Sequence, residues 1–184
     1  MLLTMSALLT LQVNAQDANT ESKPDSNMEA AKSTLAILEQ TANWSDLFNG
    51  KDLTGWTGDT KGYVAKGGNL VCKAGGKNLF TEKEYSDFAF RFEFKLQESG
   101  NNGIGIRVPE GGHASGSGME IQVLDHNGAK YSGTADMGGG KTIKLSWLKP
   151  WQYHGSIYGI VPSKTGYLKP VGEWNSETIS AIED

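Results

Sequence analysis

The chain has 184 residues, 38% hydrophobic and 21% charged, with a formal net charge of -4. That is enough for one domain with a core of its own, and the balance excludes a disordered chain. Lysine and arginine form no cluster, which argues against a nucleic-acid partner. No apolar run reaches the roughly 20 residues of a transmembrane helix.

Residues 1–15 are a short apolar run ending in Val13-Asn-Ala15 and followed by polar Gln16-Asp17. This pattern predicts a secretory signal and hence a secreted or periplasmic protein. Residues 16–27 are polar, contain Pro24 and are expected to be a flexible linker. Over 28–42, Ala31, Leu35, Ile37, Leu38 and Ala42 recur at helical spacing, so a short tethering helix is predicted there.

From Trp44 onward, short strand-like runs alternate with turns rich in Gly and Asn. Tyr63 to Ala65 and Asn69 to Lys73 read as a hairpin across Gly67-Gly68. Within the second of these runs Cys72, the only cysteine, is expected to be a small buried side chain; it excludes an intramolecular disulfide and a cysteine-based zinc site. The clearest strand spans Asp87 to Leu96, where four Phe alternate with Ala89, Arg91, Glu93 and Lys95. Ile104 to Val108 follows, with Gly105 and Arg107 on one side. Three consecutive antiparallel strands would then set Glu93, Arg107, Glu120 and Gln122 on one surface.

The central run is Gly116 to Asp125. In a strand, Glu120 and Gln122 project from one face and Met119, Ile121 and Val123 from the other. Asp125 lies five residues past Glu120 and joins that face only through a bulge. Residues 132–147 read as an excursion from the sheet. Beyond it Trp151, Tyr153, His154 and Tyr158 crowd together, a composition that suits stacking on sugar rings and equally suits plugging one end of a core. His113 and His126 fall in loops and receive no role. Regularly spaced strands without crossover helices imply an all-β antiparallel sandwich or jelly roll over 44–184, preceded by the short helix and continuing beyond this sequence in a longer protein.

Six runs in this order, Asp46 to Trp56, Tyr85 to Phe88, Asn101 to Ile104 with Arg107, Met119 to Asp125, His154 to Gly159 and Lys169 to Asn175, resemble the 3-keto-disaccharide hydrolase domain family. The resemblance covers Trp44 to the C-terminus and implies a concanavalin-like lectin/glucanase jelly roll, a carbohydrate substrate and a secreted bacterial setting. Laminarinase-like glucanases carry Glu-x-Asp-x-x-Glu; here the spacing reads Glu120, Gln122, Asp125, which removes one carboxylate and shortens another. That argues against hydrolysis by paired carboxylates.

In a 3-keto sugar the C3 carbonyl acidifies the C2 hydrogen, so one base suffices. What the resemblance implies is Glu120 as base, Arg107 or a metal on the enolate oxygen, and Asp125 or His154 assisting the leaving group. Glu93, Asn101, Gln122, Trp151, Tyr153 and Tyr158 are the expected sugar contacts. A divalent ion on Glu120, Asp125 and His154 is compatible with these residue types, although no spacing demands one, and no other cofactor is expected. The competing readings are a non-catalytic carbohydrate-binding module on the same fold and an interaction module tethered by the 28–42 helix.

Overall fold

The computed structural model describes residues 2–8, 33, 36–37 and 44–181. They are mostly antiparallel strand with very little helix. In chain order the elements are β1 (Leu2–Leu8), β2 (Trp44–Asp46), β3 (Trp56–Gly58), β4 (Tyr63–Lys66), β5 (Asn69–Cys72), β6 (Leu79–Thr81), β7 (Phe88–Lys95), β8 (Asn101–Ile106), α1 (Ala114–Ser117), β9 (Met119–Leu124), β10 (Ser132–Asp136), β11 (Thr142–Ser146) and β12 (Trp174–Ala181). A six-stranded sheet runs β12-β7-β1-β5-β4, with β2 also paired to β1; β8-β9, β3-β6 and β10-β11 are separate pairs.

Alternation in β7 builds the core as its sequence dictates. Phe90, Phe92 and Phe94 are buried and stack along the strand, the first two with ring centroids 5.1 Å apart. Ile121 and Val123 of β9 join them with Trp56, Leu70 and Ile179 in one cluster. With one face of β9 committed to that cluster, Glu120 and Gln122 lie on the other. Asp46 to Trp56 folds as a knot of side-chain bonds: Asn49 Oδ1 accepts from the Lys51 and Asp52 amides, and Asp52 Oδ1 accepts from Asn49 Nδ2 and the Thr54 amide. Those bonds, Asn49 first, hold the Asp52 carboxyl down at about 2.

The structure bears on four of these expectations. β7 does not pair with β8; its neighbours are β12 and β1, so Glu93 stands opposite Ser176 and away from Glu120. Leu2–Leu8, part of the expected signal, is a strand between β7 and β5, while residues 9–27, which hold the rest of that segment and the linker, lie outside the described residues. Within the expected helix, Ser33, Ala36 and Ile37 are helical and the remainder lies outside the described residues. Cys72 is half-buried, not enclosed.

Candidate functional site

β8 and β9 pair so that Gly103 stands opposite Gln122 and Gly105 opposite Glu120. Directly opposed residues share a face, so the missing side chains leave an open floor beside the two polar ones. A Cβ on Gly103 would collide with the Glu120 carboxylate, which lies across it. A Cβ on Gly105 would meet Ala114 Cβ at 2.8 Å, because α1 closes over that end. On the far edge of β9, the Gln122 amide donates to the Ser156 carbonyl (2.9 Å) and the Tyr158 amide to the Glu120 carbonyl (2.8 Å), which brings Tyr158 alongside.

The result is a cavity of about 420 Å³ lined by Glu120, Gln122, Asn101, Asn102, Lys77 and Tyr158, with His113, Ser115 and Tyr63 at its walls. Asn78 Nδ2 donates to the Gly112 carbonyl (3.0 Å) and ties two wall loops together. The Lys77 amide donates to Asp59 Oδ2 (2.8 Å), and this bond foremost holds the Asp59 carboxyl below its ordinary value. Burial and the neighbouring Cys72 keep the Tyr63 phenol well above its usual range, so it is a proton donor at neutral pH. Glu120 is the one carboxylate among the described residues lining this cavity. Beside it a second space of about 530 Å³, mostly apolar, runs along Trp56, Leu70, Phe88 and Phe90.

The expected residues divide between several places. Glu120, Gln122, Asn101 and Tyr158 come together. Arg107 directly follows β8 with φ 53 and lines the apolar space instead. Asp125 is buried and accepts from the Ser99 amide at 2.8 Å; no bulge brings it to Glu120, so it shapes the turn before β8. Trp151 is exposed, and Tyr153 sits edge-on to His126 with centroids 4.9 Å apart. Glu93 is exposed on β7. The sequence reading gives no role to the wall residues Lys77, Asn102, His113 and Ser115: Lys77 and His113 stand in loops, which have no periodicity, Ser115 in the single turn of α1, and Asn102 next to Asn101 at the start of β8. The alternation of Gly103 and Gly105 opposite a polar strand is the signal that could have found the floor.

His154 lies against the Phe94 ring, with centroids 5.1 Å apart, and its Nε2 is 3.9 Å from Glu177 Oε2 on β12. That separation is too long for a hydrogen bond, and Glu177 Oε2 and His154 Nδ1 have no hydrogen-bond partner. Burial pushes the Glu177 carboxyl up to about 7. Burial, with the His126 charge second, pulls the His154 imidazole down to about 4. Both are therefore neutral in mildly acidic solution. Among the described residues no group of three or more His, Cys, Asp or Glu is placed to hold a metal, so Glu120, Asp125 and His154 do not form the joint ligand set their residue types allowed.

Comparison with known proteins gives a consistent picture. A Bacteroides thetaiotaomicron protein named 3-keto-disaccharide hydrolase is 24% identical over 164 residues, 82% of this chain and 56% of that protein. A crystal structure of a "putative glycosyl hydrolase" from Parabacteroides distasonis superposes with TM-score 0.60 at 28% identity, covering 75% of this chain and 64% of that one. A second structure of that description from the same organism gives TM-score 0.54 at 24% identity, covering 75% and 62%, and at that identity the likeness shows the fold alone. The chain thus spans a little over half the length of the curated relative it matches. The model of the 3-keto-alpha-glucoside-1,2-lyase-like domain matches residues 43–184, and the chain belongs to that family.

Proposed function

We propose that this chain is a carbohydrate-active enzyme on a concanavalin-like jelly roll that cleaves 3-keto-glycosides. The observation that carries this reading is a polar, sugar-sized cavity lined by one carboxylate, Glu120. Glycoside hydrolysis by displacement uses two carboxylates. A 3-keto sugar needs one base: Glu120 takes the C2 proton, the electron pair forms the enolate, and its collapse expels the C1 substituent as the C1–O bond breaks. Water then adds across the resulting enone and returns a proton to C2, so the net change is hydrolysis. Lys77, Asn102 and Tyr158 supply donors for the enolate oxygen and sugar hydroxyls, and His113 is the group at the wall suited to protonate the leaving oxygen. A metal requirement is left to the chelator arm of the test.

The relative's name, 3-keto-disaccharide hydrolase, supports the substrate class. We also propose that residues 1–15 direct secretion, as their apolar run and the polar stretch after it suggest. The test is release of the aglycone from a 3-keto-glucoside in deuterated water, with and without chelator. Turnover with deuterium at C2, lowered roughly a hundredfold to ten-thousandfold in Glu120→Gln, is expected for a lost general base. A folded parent that binds sugars without turning any over would instead be a carbohydrate-binding module.

A further inference from the structure

The β10–β11 pair joins no other strand among the described residues. Its register sets Ala135 opposite Ile143 and Gly133 opposite Leu145, so one face is apolar; Thr134 opposite Lys144 and Asp136 opposite Thr142 make the other polar. A hairpin of this kind normally turns its apolar face inward. Here Met137 (62%), Ile143 (46%), Leu145 (41%) and Trp147 (63%) all remain exposed. The Trp147 indole lies against Gly133, whose missing side chain admits it; a Cβ there would meet the ring at 2.6 Å. Gly138, Gly139 and Gly140, all at positive φ, make the connection.

Charge separates the hairpin from the rest of the chain. Between Lys130 and Lys149 there are four lysines, at 130, 141, 144 and 149, against one acidic residue, Asp136, in a chain whose net charge is -4. A contiguous exposed apolar face marks an interaction surface. Its flanking lysines decide the partner. A neutral sugar would need flat rings, not Met, Ile and Leu, and would gain nothing from lysine. A second copy meeting through this face would set lysine-rich hairpins against each other about a two-fold axis. An anionic lipid surface satisfies both features, since apolar and aromatic side chains enter the interface while lysines on the polar face and at the rim stay among the headgroups.

We infer that the β10–β11 hairpin docks this protein on an anionic lipid surface, with Met137, Ile143, Leu145 and Trp147 in the headgroup boundary and the four lysines on the headgroups. The test is co-sedimentation of the full chain with vesicles of equimolar phosphatidylglycerol and phosphatidylcholine, beside phosphatidylcholine alone. Binding is expected to the anionic vesicles only, with a blue shift of tryptophan emission that disappears in Trp147→Phe. Lys141→Ala combined with Lys144→Ala should weaken binding about 25-fold, since each lysine near such a surface is worth roughly fivefold. Ile143→Ser combined with Leu145→Ser should abolish it while leaving the thermal midpoint unchanged, because both side chains are exposed. Failure of the folded parent to bind, equal binding to neutral vesicles, or unchanged binding by the serine variant would overturn the inference. So would a dimer, or capture by an acidic protein, that depends on these side chains while vesicles are ignored.

Discussion

The Glu177 carboxyl is a single residue whose charge the fold resists. Its folded value of about 7 lies above the ordinary 4.5. Its contribution to stability is therefore fully present below 4.5 and lost as pH rises through about 7. His154 works in the opposite sense: depressed from 6.5 to about 4, it contributes stability present above 6.5 and lost as pH falls through about 4. Glu177→Gln copies the protonated acid at all pH values. At about pH 8 the variant should be more stable than the parent by on the order of 1–3 kcal/mol, and at about pH 4 the two should match closely. Thermal or urea unfolding at the two pH values measures this. Equal stability at the higher pH would mean that the carboxylate ionises without cost, through a partner such as protonated His154.

At the scale of elements, the turn between β7 and β8 shows how a residue that looked catalytic is used. Ser99 takes φ 54, a conformation costly for a residue with a side chain, and buried Asp125 holds it by accepting its amide. Ala129 and Lys130 are tied to the same turn through Glu98 and Ser99. Asp125→Ala should destabilise by about 2–3 kcal/mol, the scale of a lost charge-assisted bond, and Ser99→Gly should restore part of it by removing the strain. Urea denaturation of the single and double variants checks both. Activity surviving in folded Asp125→Asn with an unchanged pH profile is expected of a positioning residue; a vanished acid limb would instead return Asp125 to catalysis.

The same turn shows what could be read in advance. Alternation along β7 and β9 told which side chains are inward, because period two is a property of one strand. It did not tell which strand is the neighbour. Pairing is fixed by packing across the whole sheet, and that put Glu93 beside β12 and left Glu120 beside glycines. Several residues in the recurring runs hold backbone, not ligand. Ser156, fully buried, accepts from the Ser163 amide at 3.0 Å, and buried Asn175 accepts from the Lys169 amide at 2.8 Å. A motif alone cannot separate such knots from chemistry, since both demand a particular side chain.

For the whole molecule, the critical connection is β1. It pairs with β7 on one side, from Leu2 opposite Lys95 to Ala7 opposite Phe90, and with β5 on the other. It is thereby the single link in the six-stranded sheet between β12-β7 and β5-β4. Removing it would leave two narrow pairs, each with an open edge above the phenylalanine core. Residues 1–15 are also the segment proposed above to direct secretion, and that proposal and the strand pairing make opposite demands on it. A chain beginning at Gln16 decides between them. If β1 is part of the working fold, that variant should melt at a lower temperature than the full chain and aggregate through the exposed edges, and sequencing of the exported protein should still find Leu2–Leu8. An exported protein beginning near Gln16, with the melting point of the full chain, would show that β5 and β7 stay together without this strand.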